Sequence, residues 1–189
     1  ITIPKEVTSI GNDAFVGCAS LTSITIPDGI TSIGSSTFLR CNNLKSINIP
    51  SSVTSIGEKA FEGCHSLQSI TIPQGVKSIA DRTFYGCGSM TSITIPKGVT
   101  SIGGDAFWGC NNLSLVDMPQ SLISIAGGAF MHCGGLTSIT IPEKVTSIGR
   151  EAFANCGSLA LIDCKPTTPP LLGANNFNNV AKYCVIYVP

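Results

Sequence analysis

The chain has 189 residues, of which 43% are hydrophobic and 12% charged, and its eleven basic and eleven acidic side chains cancel to a net charge of zero. It is too apolar for a disordered segment. The balanced charge leaves no basic stripe to release counterions from nucleic acid and no cationic face for an anionic membrane. Ser, Thr, Gly or Pro interrupts the apolar residues every few positions, so no run approaches the roughly 20 residues of a membrane-spanning helix and no membrane insertion by this fragment is expected.

Ile1-Thr2-Ile3-Pro4 opens the chain inside a repeating unit, without a charged and apolar leader, and more protein is expected before it. The unit declares itself by its period. Pro4, Pro27, Pro50, Pro73, Pro96, Pro119 and Pro142 recur every 23 residues, and so do Cys18, Cys41, Cys64, Cys87, Cys110, Cys133 and Cys156. Seven copies with no insertion or deletion are a solenoid signature.

Within a unit, Leu21-Thr22-Ser23-Ile24-Thr25-Ile26 ends in the period-two alternation of a strand with one buried face. Pro27 lacks an N–H and stops that strand, and Asp28-Gly29 supplies a turn. Ile30 to Gly34 forms a second short extended piece, and Ser35 to Cys41 is long enough for one or two helical turns, with Phe38 and Cys41 on one face. The expected fold is an α/β repeat solenoid of 23-residue coils, with a parallel sheet of first strands on the concave side and short second strands and short helical turns elsewhere. One coil alone cannot bury enough apolar surface to offset its ordering, so coils stack and their ends need caps. Residues 1–164 read as about seven repeats, the first incomplete, and 165–189 as a divergent C-terminal capping repeat. There Lys165-Pro166-Thr167-Thr168-Pro169-Pro170 replaces the usual turn, Phe177 follows Phe153 by 24 residues instead of 23, and Tyr183 to Pro189 reads as a last strand.

The seven in-register cysteines are expected to form a buried ladder of reduced thiols at the strand spacing of about 4.8 Å. A metal site would need four ligands converging from Cys-x-x-Cys-type spacing, which the sequence lacks, and its two histidines stand in different columns. Cys164 and Cys184 flank the capping loop, and two readings stand: a disulfide that closes it, or two thiols held apart by strand register.

Catalytic motifs dissolve into the repeat. Gly29 to Gly34 and Gly98 to Gly103 have P-loop glycine spacing, but no Lys-Ser/Thr follows either. The serine column from Ser9 to Ser147 has no base and orienting group behind it, and His65 and His132 read as loop side chains. Asn112-Leu113-Ser114 fits a glycosylation sequon. No active site and no cofactor are expected.

Surface remains. The outward columns of the first strands are small and polar except at Lys45, Asn48, Gln68, Leu115, Asp117, Leu161 and Asp163, where the copies diverge. These are the candidate partner-binding residues, against the alternative of drift on a solvated sheet. A second row, Tyr85, Trp108 and Met131, is expected side by side on the convex surface, either as a partner contact or as packing between adjacent turns.

The pattern L-x-x-I-x-I-P…V-x-S-I-G-x-x-A-F-x-G-C resembles the BspA-like leucine-rich repeats of bacterial surface proteins, over about residues 1–164. The closing element resembles theirs too, with Pro169, Pro170, Leu172, Gly173, Phe177, Cys184, Ile186, Tyr187, Val188 and Pro189. This likeness implies a right-handed leucine-rich-repeat coil, a cell-surface or secreted location and an adhesin-like or host-factor-binding role without a shared catalytic motif. The expected function is a non-enzymatic, monomeric module that binds a protein or glycan partner through its concave sheet. A structural spacer is the main alternative, and an ice-binding solenoid, suggested by the threonine rows, a remote one.

Overall fold

The structure is a computed structural model that describes residues 1–189. It is a parallel-strand solenoid whose coils have three sides. On the first side lie β1 (Ser23–Thr25), β3 (Ser46–Asn48), β6 (Ser92–Thr94), β8 (Leu115–Asp117), β10 (Ser138–Ile141), β12 (Leu161–Cys164) and β14 (Val185–Tyr187). On the second lie β2 (Ser32–Ile33), β4 (Ser55–Ile56), β5 (Ser78–Ile79), β7 (Ser101–Ile102), β9 (Ser124–Ile125), β11 (Ser147–Ile148) and β13 (Leu171–Leu172). Every pairing is parallel, and its register equals the repeat: Ile24 faces Ile47 and Ile33 faces Ile56. At the C-terminal end Ile162 faces Ile186 and Ile148 faces Leu172, one residue longer per coil, as the spacing of Phe153 and Phe177 requires.

The third side corrects the expected helical turns. It contains no helix, only stacked turns that we call the arch. Each arch holds two residues of left-handed backbone four apart, for example Ser36 and Arg40, at φ 54° and 59°, or Asp105 and Gly109, at 52° and 69°. Such residues cannot continue a right-handed helix. They turn alternate N–H groups toward the neighbouring coil, so Ser36, Phe38 and Arg40 donate to the carbonyls of Glu58, Ala60 and Glu62 at 2.8, 2.8 and 2.7 Å. Spacing gives the reason: a helix is about 10 Å wide, whereas strand pairing sets coils about 4.8 Å apart. Only a flat arch stacks at that rise.

One core runs from Ile10 to Ile162. Its spine is a column of all eight phenylalanines, Phe15 to Phe177, stacked with centroids 5.0 to 5.8 Å apart. Beside it the small-residue column Ala60, Ala106, Ala129 and Ala152 carries Thr37 and Thr83 in two coils, both buried. Their hydroxyls are satisfied by donating to the carbonyls of Gly34 and Ala80 at 2.9 and 2.8 Å.

Candidate partner-binding surface

The first side meets solvent through alternate residues. In β1, Ile24 is buried while Ser23 and Thr25 are exposed, and β3, β6 and β8 repeat that pattern. This alternation puts Asn48, Leu115, Asp117 and Leu161 in solvent, with Asp163 partly covered; Lys45 and Gln68, outside the paired strands, are exposed as well. They fall into two groups. Lys45, Asn48 and Gln68 sit together, the Gln68 N–H donating to the Lys45 carbonyl at 3.3 Å. Leu115 and Asp117 lie two coils from Leu161 and Asp163, with Ser138 and Thr140 between them on β10. Leu115 is 60% exposed on a lattice of hydroxyls. Asp163 is engaged by Lys165 at 2.8 Å, whereas Lys45 and Asp117 have no ion-pair partner.

The rim where first strands end adds residues that the column reading missed. A cleft of about 440 Å³ surrounds Asp117 and is lined also by Gln74, Thr94, Lys97, Gln120 and Ser121. Asn48 shares a cleft of about 500 Å³ with Thr25, Asp28 and Lys5. Gln74, Lys97 and Gln120 occupy the position after each proline, the column Lys5, Asp28, Ser51, Gln74, Lys97, Gln120, Glu143. Its diversity was the available signal.

On the arch, Tyr85 and Trp108 stack at 4.5 Å between centroids, nearly parallel at 3°. Met131 is half-buried in the next coil, as Tyr85 and Trp108 are in theirs, and His132 packs edge-on to Trp108 at 5.1 Å. The Arg82 guanidinium covers the other side of Tyr85 at 4.4 Å and pairs with Glu62 at 3.3 Å. The ring faces are thus largely taken by internal partners.

The cysteines from Cys41 to Cys156 are buried and free. Each thiol donates to a phenylalanine carbonyl of the preceding coil, Cys64 to Phe38 at 3.2 Å and Cys133 to Phe107 at 3.1 Å. Burial pushes the Cys64 thiol up to about 12 and those of Cys41 and Cys156 to about 11, and raises Cys87, Cys110 and Cys133 well above the usual thiol range. They are neutral donors, poor nucleophiles and poor metal ligands. Half-buried Cys18 begins the column. Cys164 and Cys184 are not bonded. Since Leu161 faces Val185 and Asp163 faces Tyr187, the two cysteines are offset by four residues, about 13 Å along the strand, well beyond the roughly 7 Å limit of Cα separation for a disulfide. No three His, Cys, Asp or Glu side chains converge, and no helix is long and apolar enough to cross a membrane.

The profile of the BspA type leucine rich repeat region matches residues 1–114 and 77–188, in six copies. No curated protein matches the chain. Among solved structures, it is similar to a leucine rich cell surface protein from Faecalibacterium prausnitzii, with 38% identity and a TM-score of 0.82 over 89% of this chain and 48% of that one. It is also similar to the leucine rich repeat protein of T. pallidum, with 32% identity and a TM-score of 0.80 over 84% of this chain and 77% of that one. A leucine-rich repeat protein from Bacteroides ovatus gives 31% identity and a TM-score of 0.75 over 95% and 52%. The chain spans about half the length of the first and third of these relatives. With its period, its paired strands and these likenesses in agreement, the chain belongs to the BspA-type leucine-rich repeat family.

Proposed function

We propose that this is a non-enzymatic, monomeric module at a cell surface or in a secreted protein, and that it binds a protein or glycan partner across its first-strand face, which we take as the concave side. The observation that carries this reading is the placement of Leu115, 60% exposed, beside unpaired Asp117, between the serine and threonine of β6 and those of β10. An exposed leucine bordered by a carboxylate and open amides suits a contact with a hydrophobic centre and a polar rim. The name of the F. prausnitzii relative supports the surface location.

The test compares the intact chain with a variant carrying Lys45→Ala, Asn48→Ala, Gln68→Ala and Asp117→Ala, and with Leu115→Ser, on a glycan array and a panel of extracellular proteins. Retention of a ligand by the intact chain and its loss by the variants is expected. Equal retention by all three removes the first-strand face from the contact. The spacer reading rests on the unbroken phenylalanine column, and it predicts no ligand for any of the three.

A further inference from the structure

Successive coils are joined on the second side by strand pairing and by two further backbone hydrogen bonds that flank it. Thr54 and Gly57 donate to Thr31 and Ile33, each at 2.9 Å, and Thr100 and Gly103 donate to Lys77 and Ile79 at 3.0 and 2.8 Å. The same pair recurs from Ile123 and Ala126, from Thr146 and Gly149, and from Leu171 and Gly173. Between 54–57 and 77–80 there is none, and strand pairing stops there, β4 ending one sheet and β5 beginning the next. The only other junction without them is the first, where Thr8 to Gly11 forms no strand.

The first side is unpaired here too. It also lacks pairing between 69–71 and β6 and between β8 and β10, but there the second side is paired, and the first junction keeps a bridge from Thr2 to Thr25, so this is the one junction with strand pairing on neither side. The Gln68 N–H reaches Lys45 at 3.3 Å, where Lys45 reaches Thr22 at 2.9 Å. On the arch side, the ion pair from Arg82 to Glu62 crosses this junction through one 3.3 Å contact and leaves Arg82 Nε and Glu62 Oε2 buried without partners.

A local cause is visible in the last column of the second segment, Gly34, Gly57, Ala80, Gly103, Ala126, Gly149. A Cβ at Gly57 would lie 2.6 Å from the Ser35 nitrogen, and one at Gly103 2.6 Å from the Asp81 nitrogen. Coils approach too closely there for a side chain, yet position 80 carries a methyl group. The other alanine of the column, Ala126, keeps its bond to Ile102 at 2.9 Å and faces Gly103-Gly104, whereas Ala80 faces Gly57-Glu58. The arch stays continuous across the gap, with Lys59, Phe61 and Gly63 donating to Asp81, Thr83 and Tyr85 at 3.0, 2.9 and 2.8 Å.

We propose that this junction is a hinge: the coils before and after it swing about the intact arch, and Ala80 keeps the two strand sides unlatched. The first-strand face is then two platforms, one carrying Lys45 and Asn48, the other Asp117 and Asp163, whose separation varies. The hinge needs no partner, so it stands or falls independently of the binding reading.

Hydrogen exchange on the full chain tests it. After correction for intrinsic rates, amides 77–80 should exchange at least tenfold faster than amides 100–103. Ala80→Gly should slow them to the rate of the neighbouring junctions, and Gly103→Ala should speed 100–103 to match. Equal protection of the two stretches in the native chain, or exchange at 77–80 unaltered by Ala80→Gly, overturns the hinge.

Discussion

The backbone carbonyl of Phe84 accepts the thiol of Cys110 at 3.3 Å, from 26 residues away in the next coil, while also accepting the N–H of Cys87 at 3.1 Å. The same double acceptor recurs at Phe15, Phe38, Phe61, Phe107 and Phe130. Each cysteine therefore ties its own coil through the backbone and the preceding coil through sulfur. A valine of similar size would fill the space without the second tie.

Truncating one rung should loosen the column. Cys110→Ala removes a buried donor and leaves a small void, and we expect a loss of about 1–3 kcal/mol. Cys164→Ala, at a partly exposed position outside the column, should stay within about 0.5 kcal/mol. Urea denaturation of the two variants measures the difference, and equal losses would deny the ladder any structural weight.

Alkaline pH should unfold the protein through these thiols. Their pKa values are raised in the folded state, to about 11 at Cys156 and about 12 at Cys64, so between the unfolded value of about 8.5 and those values the unfolded chain binds fewer protons. The contribution is fully present below about pH 8.5 and is lost as pH rises toward 11 or 12, each thiol adding at most about 1.4 kcal/mol per pH unit. A melting temperature steady from pH 6 to 8 and falling steeply above pH 9 is expected. A thiol reagent at pH 8 should modify only the half-buried Cys18, Cys164 and Cys184 in the native chain.

Where a glycine lies against the backbone of the preceding coil, adding a side chain should cost stability. A Cβ at Gly149 would lie 2.6 Å from the Ala126 carbonyl carbon, whereas one at Gly157 meets nothing within 4 Å. Gly149→Ala should cost about 1–3 kcal/mol and Gly157→Ala about 0.5 or less. Thermal melts of the pair decide it.

Trp108 distinguishes packing from recognition on the arch. With Tyr85 on one side and His132 on the other, Trp108→Leu should lower stability by about 1–2 kcal/mol, the worth of the aromatic contacts it loses. An unchanged melting curve would instead favour a side chain kept for a partner.

What the amino-acid sequence determined by itself is the column plan: a 23-residue period forces identical side chains into register, and Phe38, Cys41 and Ile33 must face inward because the alternation leaves them no other side. Ser35 to Cys41 read as helix because local spacing holds no information about how close the next coil comes. Only stacking at strand distance made that helix impossible, turned Ser36 and Arg40 to left-handed backbone, and sent their N–H groups outward to Glu58 and Glu62. The candidate surface divides the same way. Lys45, Asp117 and Leu115 stood out as breaks in a column, but the cleft joining Asp117 to Gln74, Lys97 and Gln120 exists only once neighbouring turns are stacked. The separation of Cys164 from Cys184 and the gap at Ala80 were likewise set by strand register and by the approach of one backbone to another, which are distances between coils and are written in no single coil.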